Sequence, residues 1–588
     1  MSNAYVTRAL GWLGVVLCVA LLLPNHYSPW RSSHQEFLAV AAFGPLLAGA
    51  VWSGHLPRLA LGGLMLACIP LIQWMAGMLH FAGDAWVSAF YLAAFSLAVI
   101  AGHQVVAPHG AAGPAGLDRL VPLWGGLVLA GLLSVAAAAH QWLDLQRLGA
   151  FVADMPPRGR PYGNLAQPNQ LSTLLLLGCM GLWFLWESAR LHTAAALAAA
   201  SLLVVGLVLT GSRSVLLMLA WFLPAFWFMR RRCQIRLTPA ALAALLVVFV
   251  AFSASWSWLN DRLLLASPYA ALDRLGQPSL RQTYWTAMLD AVNRQPWLGY
   301  GFNQAGVAQT AVALDHPPML EFYESAHNVF LDLAVAAGVP VALLVLLGLG
   351  LWTRYQLRVC STPQGAVTLA AVGVVFSHAM VEYPLHYLYF LLPVGLWMGT
   401  LTAVHATKNP ELETLESRFA KPTLLAGAGF VLVAGLLMLR DYLPYEEHWR
   451  MLRYREAQIG DLRREPAPDT LLLTQLNALV SAAAAEPENV NSDELELLRR
   501  VAERYPYPST MYSYAIALAT KGFSEQAALV LQRLCQMQSR KSCHDAQKEW
   551  ARAQQRQPQL ASVRLPGMVQ VRQDGPDDQS PGPRSPLR

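Results

Sequence analysis

"YGNLAQPNQLSTLLLLG", Tyr162 to Gly178, sets a cluster of amide side chains and a proline directly before an apolar run. Asn and Gln are costly inside a bilayer and proline interrupts helices, so the stretch reads as the polar mouth of a membrane span. The rest of the chain repeats the apolar half of this pattern. Of its 588 residues, 55% are hydrophobic and only 13% charged, and the mean hydropathy is +0.36. A soluble chain of this length has no need of so apolar a composition. A spanning helix takes about 20 mostly apolar residues. Thirteen stretches qualify, centred on Val15, Phe43, Leu66, Ala93, Val128, Leu176, Val204, Leu219, Val247, Leu344, Val374, Pro393 and Leu432. The expected fold is all-α and polytopic, with about 13 transmembrane helices. No small-residue cleavage site follows the first stretch, which therefore reads as a retained anchor.

Charge gives the orientation. With the N-terminus inside, alternation puts Arg8, Arg58, Arg119, Arg190, Arg230 to Arg232, Arg236, Arg354, Arg358, Lys408, Arg418 and Lys421 inside. The short outer loops receive Arg31, Arg147, Arg158, Arg160 and Arg213. That skew is the positive-inside pattern. No loop pairs its basic residues with a stacking platform, so the net charge of +6 does not point to nucleic acid. An odd number of spans leaves Cys535 and Cys543 outside, where they either pair or remain two thiols.

Five regions follow: spans 1–9 in residues 1–256, a large outer loop in 257–327, spans 10–13 in 328–440, a helical region in 441–556 and a disordered tail in 557–588. In the loop, "LRQTYWTAMLDAVNRQPWLGYG" reads as helical up to Gln295, then turns at Pro296 and Gly299. Its Tyr284, Trp285, Trp297 and Tyr300 suggest a fold lying on the membrane surface. Past the last span, "MYSYAIALATKGFSEQAALVLQRL" resembles one tetratricopeptide helix pair, with Gly522 at the turn and Ala527 at the close approach. The tail is polar and Pro-rich.

Four polar stretches fall on the outer face: "GNLAQPNQ" (163–170), "TGSRS" (210–214), "SAHN" (325–328) and "EYPLHY" (382–387). Each has a structural reading. Gln167 and Asn169 can cap the sixth span beside Pro168, Arg213 can snorkel to the interface, His327 can be a packed histidine, and Glu382 can pair with His386. Together they offer chemistry. Arg213 and Arg281 suit bidentate phosphate binding. Asn164, Gln167 and Asn169 suit sugar hydroxyls or phosphate oxygens, and His327 suits proton abstraction near neutral pH. A nucleophile elbow, metal-ligand spacing and a phosphate-cradling glycine loop are not found in the sequence, so neither metal nor cofactor is expected.

Taken with "LRQTYW…PWLGYGFN", "SAHNVFLDLAVAAGVP" and "VEYPLHYLYFLLPVGLWMG", these stretches resemble the PglL/PilO group of bacterial O-linked oligosaccharyltransferases. That group belongs to the superfamily of O-antigen ligases and Wzy polymerases. The resemblance covers residues 5 to 440, plus a similar C-terminal extension. It implies a GT-C-like membrane fold in the bacterial inner membrane with a periplasmic active site. The donor it implies is an oligosaccharide on undecaprenyl diphosphate, and the acceptor a Ser or Thr hydroxyl of a pilin-like protein. By the same resemblance, the essential histidine falls on His327, the glutamine on Gln167, the tyrosine on Tyr383 with Tyr387 one turn away, and the diphosphate arginines on Arg213 and Arg281. Asn328, Glu382 and His386 have orienting roles. Two other activities compete: a ligase or polymerase with a glycolipid acceptor, and a lipid-linked sugar transporter. The transporter would need ionisable groups near the span centres, which carry almost none. The helical region beyond the last span favours a protein acceptor, since helical hairpins supply peptide grooves.

Overall fold

A computed structural model describes residues 2–51, 56–106, 114–145, 147–156, 159–263, 265, 280–406, 414–415, 420–460 and 467–563. Part of the large loop (266–279), the basic residues Arg158, Lys408 and Arg418, and the tail from 564 lie outside the described residues. The fold is all-α and polytopic, with one two-residue antiparallel pairing of Leu56–Pro57 with Thr414–Leu415.

All thirteen expected centres fall within helices. Seven of these helices are long and apolar enough to cross a membrane, and the bent pair Pro239–Ala254 and Trp256–Leu263 would make an eighth. Thr193–Leu209, Ser214–Arg230 and Leu388–Val404 are apolar but shorter. At about 1.5 Å per residue, a 17-residue helix falls short of a hydrocarbon core about 30 Å thick. Turns such as Thr210–Arg213 shorten the helices beside them, and the two remaining centres lie in Ser33–Ala50 and Pro363–Ala379.

Helix starts follow the sequence closely. Thr238 and Thr362 cap helices whose first residues are Pro239 and Pro363, each hydroxyl accepting a backbone N–H three residues on. Proline at that position gives up a donor that would have no partner in the helix. The helix that carries the last expected span, Ala420–Glu456, runs unbroken through Arg440.

The chain forms two compact units. Unit 1 comprises Met1–Ala67, Phe90–Gln277 and Leu347–Val433. Its helices pack backbone to backbone: a side chain at Gly14 would collide with the carbonyl of Pro122, and one at Gly126 with that of Gly14. Unit 2 comprises Cys68–Ala89, Pro278–Leu346 and Ala434–Arg588. It gathers segments that the alternation assigns to the outside. Its core joins Tyr284, Met288, Met319 and Val335 to Met511, Leu534 and Trp550. Two charged contacts tie its segments: the guanidinium of Arg504 grips the carboxylate of Asp84 at 2.9–3.1 Å, and His80 meets Glu503 at 2.9 Å.

The C-terminal helices are Thr474–Ala484, Ser492–Arg504, Pro508–Thr520, Ser524–Met537 and Arg540–Arg556. Asn491 and Glu494 form a capping box. Gly522 turns between the two central helices in the left-handed region (φ 87°), and Ala527 is buried. Cys535 and Cys543 are bonded. The expected disordered tail starts too early at 557. Residues Pro558–Ser562 form a turn with Leu560 and Val563 buried, and Gln554 Nε2 donates to the carbonyls of both. Two apolar side chains in a polar stretch were enough to anchor it.

Candidate active site

Unit 1 brings three of the four polar stretches together. Gly163 and Ala166 take left-handed conformations (φ 57° and 55°), turning the chain sharply before the sixth span. Such a conformation is uncommon for alanine and marks a closely determined loop. The loop is stapled by Gln141, whose amide donates to the carbonyls of Ala153 and Gly163 and accepts from the N–H groups of Tyr162 and Gly163, all at 2.7–2.9 Å. Gln167 then caps the helix Pro168–Glu187, its Oε1 accepting from the N–H of Gln170 at 2.7 Å.

Asn169 is the hub. Its Nδ2 donates to Glu382 Oε1 at 2.7 Å and its Oδ1 accepts from Ser212 Oγ at 2.6 Å. One amide therefore joins "QPN", "TGSRS" and "EYPLHY". Glu382, expected beside His386, accepts from this amide. Arg213 stands half-buried at the head of the helix Ser214–Arg230. A second guanidinium reaches the same turn, where Arg160 Nη1 donates to the carbonyl of Gly211 at 3.2 Å. The sequence shows Arg160 only as a loop charge.

A narrow crevice beside this hub is lined by Gln167, Gln170, His378, Glu382, Tyr383, Pro384 and Tyr387. The rings of Tyr383 and Tyr387 stack at 5.8 Å and those of Tyr387 and Tyr389 at 5.3 Å, so both candidate tyrosines belong to one aromatic ladder. Tyr389 donates to Gln170 Oε1 at 2.6 Å, and His378 Nδ1 lies 2.7 Å from Thr173 Oγ1. His386 is exposed, its ring 5.6 Å from that of Tyr383. Asn164 has another task. Its Nδ2 donates to the carbonyls of Leu22 and Phe151, and its Oδ1 accepts from the N–H of Ala153, so a residue expected to meet the donor holds backbone instead.

Unit 2 carries His327, Asn328 and Arg281. His327 is half-buried and left-handed (φ 54°). Asn328 Oδ1 accepts from the N–H groups of Phe330 and Leu331, capping the helix that follows. Asp332 returns from that helix to hold the loop, accepting from Ser325 Oγ at 2.7 Å and from the N–H of Ala326 at 2.6 Å. Imidazole Nδ1 of His327 lies 3.0 Å from the carbonyl of Ser325. A carbonyl can only accept, so Nδ1 carries the proton and the basic lone pair of the neutral ring sits on Nε2.

The helix Leu280–Arg294 backs this loop. Trp285 Nε1 donates to the carbonyl of Ala326 at 2.8 Å, and Arg281 lies one helical turn earlier on the same face. The rings of Tyr284 and Tyr323 are tilted against each other at 4.4 Å, and Tyr323 meets the His327 ring edge-on at 5.1 Å. Burial, helped by the Asp332 carboxylate, pushes the Tyr284 phenol well above its ordinary range, so it serves as a neutral wall. Tyr284 and Trp285 thus point into the protein, and only Trp297 of the four loop aromatics is exposed.

The "GVP" step after the histidine has a mechanical reason. The helix Val329–Val359 breaks at Gly338 (φ 84°). Carbonyls freed at the break accept from the N–H groups of Tyr300 and Gly301 and from Gln73 Nε2. The backbones at Gly299 and Gly338 approach so closely that a side chain at either would strike the other segment. No group of three or more His, Cys, Asp or Glu among the described residues is arranged to hold a metal.

Residues 161–186 match the family model described as protein glycosylation ligase, 197–346 that of O-antigen ligase, and 366–558 that of virulence factor membrane-bound polymerase, C-terminal. The first match contains the Gln167 loop, the second both Arg213 and His327, and the third "EYPLHY" with the C-terminal helices. The chain is 28% identical over 534 residues to a general O-oligosaccharyltransferase of Acinetobacter baylyi, covering 88% of this chain and 91% of the relative. It is 24% identical over 416 residues to a ComP-specific O-oligosaccharyltransferase of the same organism, covering 69% and 73%.

Proposed function

We propose that the chain, which is similar to the PglL-type O-oligosaccharyltransferases and to the O-antigen ligases, moves an oligosaccharide from undecaprenyl diphosphate to a Ser or Thr hydroxyl of a pilin-like protein at the periplasmic face of the bacterial inner membrane. The observation that supports the mechanism is the hydrogen bond from His327 Nδ1 to the Ser325 carbonyl, which fits a base acting through Nε2. Nε2 takes the proton of the acceptor hydroxyl while its oxygen attacks the anomeric carbon. The bond from that carbon to the diphosphate breaks, and the diphosphate leaves with the electron pair. Arg213 and Arg281 offset the charge growing on the leaving group. Gln167, Asn169 and Tyr383 orient the donor. Glu382 puts a carboxylate into the crevice beside the Asn169 hub.

The Cys535–Cys543 bond supports an oxidising compartment for the C-terminal helices. The protein acceptor is supported by the names of the relatives. The test is co-expression with a candidate pilin and a lipid-linked glycan. A mobility shift of the pilin with unchanged lipopolysaccharide banding is expected. An unshifted pilin with altered lipopolysaccharide would replace the protein acceptor with a glycolipid.

A further inference from the structure

We propose that the C-terminal helices from Ser492 to Val563 are a positioning element for His327, locked by the Cys535–Cys543 bond, and not a groove for the acceptor. The inference rests on the transferase reading and deepens it.

Residues 319–324 of the outer loop lie directly against these helices. Gln536 lies in the last turn of the helix Ser524–Met537, where carbonyls have no partner within the helix. Its carbonyl accepts from the N–H of Met319 at 2.8 Å. The Met319 side chain is buried in one core with Met511, Leu534 and Met537. Five residues on, Tyr507 donates to Glu324 Oε1 at 3.1 Å, and its ring meets Phe322 edge-on at 5.6 Å. Between those anchors Gln309 donates to the carbonyl of Glu321 and accepts from the N–H of Tyr323. Tyr323 in turn meets the His327 ring. A contact path therefore runs from the C-terminal helices to the imidazole, over eight residues of loop.

The disulfide sits at the root of this path. Cys535 precedes Gln536 directly, and Cys543 lies in the first turn of Arg540–Arg556. The elbow between them presents Gln538, whose Nε2 donates to the carbonyl of Pro506, next to Tyr507. A dithiol reductant converts the bond to two thiols and is itself oxidised to a disulfide. The elbow then loses the covalent tie that fixes both anchors of the loop.

The test uses the full-length protein in nanodiscs, a lipid-linked oligosaccharide and an acceptor protein. For the Cys535→Ser/Cys543→Ser variant, kcat falls about tenfold or more, the cost of a misplaced base, while the acceptor KM stays the same. Dithiothreitol does the same to the wild type and adds nothing to the variant. A raised acceptor KM at unchanged kcat would make the region an acceptor groove and overturn the proposal, as would no change in either constant. Should the double variant fail to fold, Tyr507→Phe removes a single hydroxyl. It lowers kcat about threefold with KM unmoved, and an unmoved kcat overturns the proposal. A wild type that transfers nothing would fail the transferase reading instead.

Discussion

Ion pairs hold several carboxylates of unit 2, whereas the buried carboxylates Glu36, Glu187 and Glu382 of unit 1 take neutral donors. In unit 1, Glu36 accepts from Ser32, Trp30, Tyr91 and the N–H of Leu388. Glu187 accepts from Trp183 and from the N–H groups of Arg236 and Leu237, and Glu382 accepts from Asn169. In unit 2, Asp84 is gripped by Arg504, Glu503 by His80 and Arg499, and Asp290 by Arg294 and His316. Unit 1 is built of apolar helices, where a paired cation would have to be desolvated as well and rarely recovers that cost. Neutral donors avoid it. Unit 2 can use ion pairs.

The largest effect is expected at the most buried of these pairs. Arg504→Ala strands the Asp84 carboxylate, and breaking a buried pair from one side costs about 3–5 kcal/mol. Chemical denaturation checks it, and a loss below 1 kcal/mol would mean that water reaches Asp84. Next comes Glu36→Gln in unit 1. Its amide nitrogen turns a donor toward donors, and the mismatch costs about 1–3 kcal/mol. An unchanged midpoint in the same assay would break the contrast between the units.

The smallest effect is in pH. Burial raises the Glu503 carboxyl, but the hydrogen bond from His80 and the Arg499 charge outweigh it, and the group ends below its ordinary value of 4.5. A depressed folded pKa gives stability that is complete above the unfolded value and lost as pH falls through the folded one. Glu503→Gln should therefore cost at most about 1 kcal/mol at pH 7, and the difference should shrink as pH falls below 4.5 and disappear once it passes the lower folded value. Melting curves across that range check it, and a difference that grows in acid would reverse the sign.

Much of this was legible in the sequence because it is local. The proline and amides of residues 167–170 mark a helix start, "TGSRS" marks a turn, and the His-Asn step marks a cap, each within a few residues. The expected helix of the outer loop ended near Gln295 and was found as Leu280–Arg294. What remained hidden joins distant residues. Gln141 staples a loop some twenty residues away, and Gln73 bonds backbone more than two hundred residues on. Both partners are backbone groups, which every residue carries, so no motif betrays them. Asn164 looked like a ligand residue for the same reason, since an amide in a polar loop serves backbone and sugar equally well. Tyr284 and Trp285 suit a membrane interface or a protein core, and only the packing of the C-terminal helices decides between them.

The most direct measurement is single-turnover glycan transfer by His327→Ala in proteoliposomes, with donor binding followed in parallel. The account predicts a loss of about a hundredfold to ten-thousandfold in the transfer rate with donor binding retained. Transfer at the wild-type rate would contradict it.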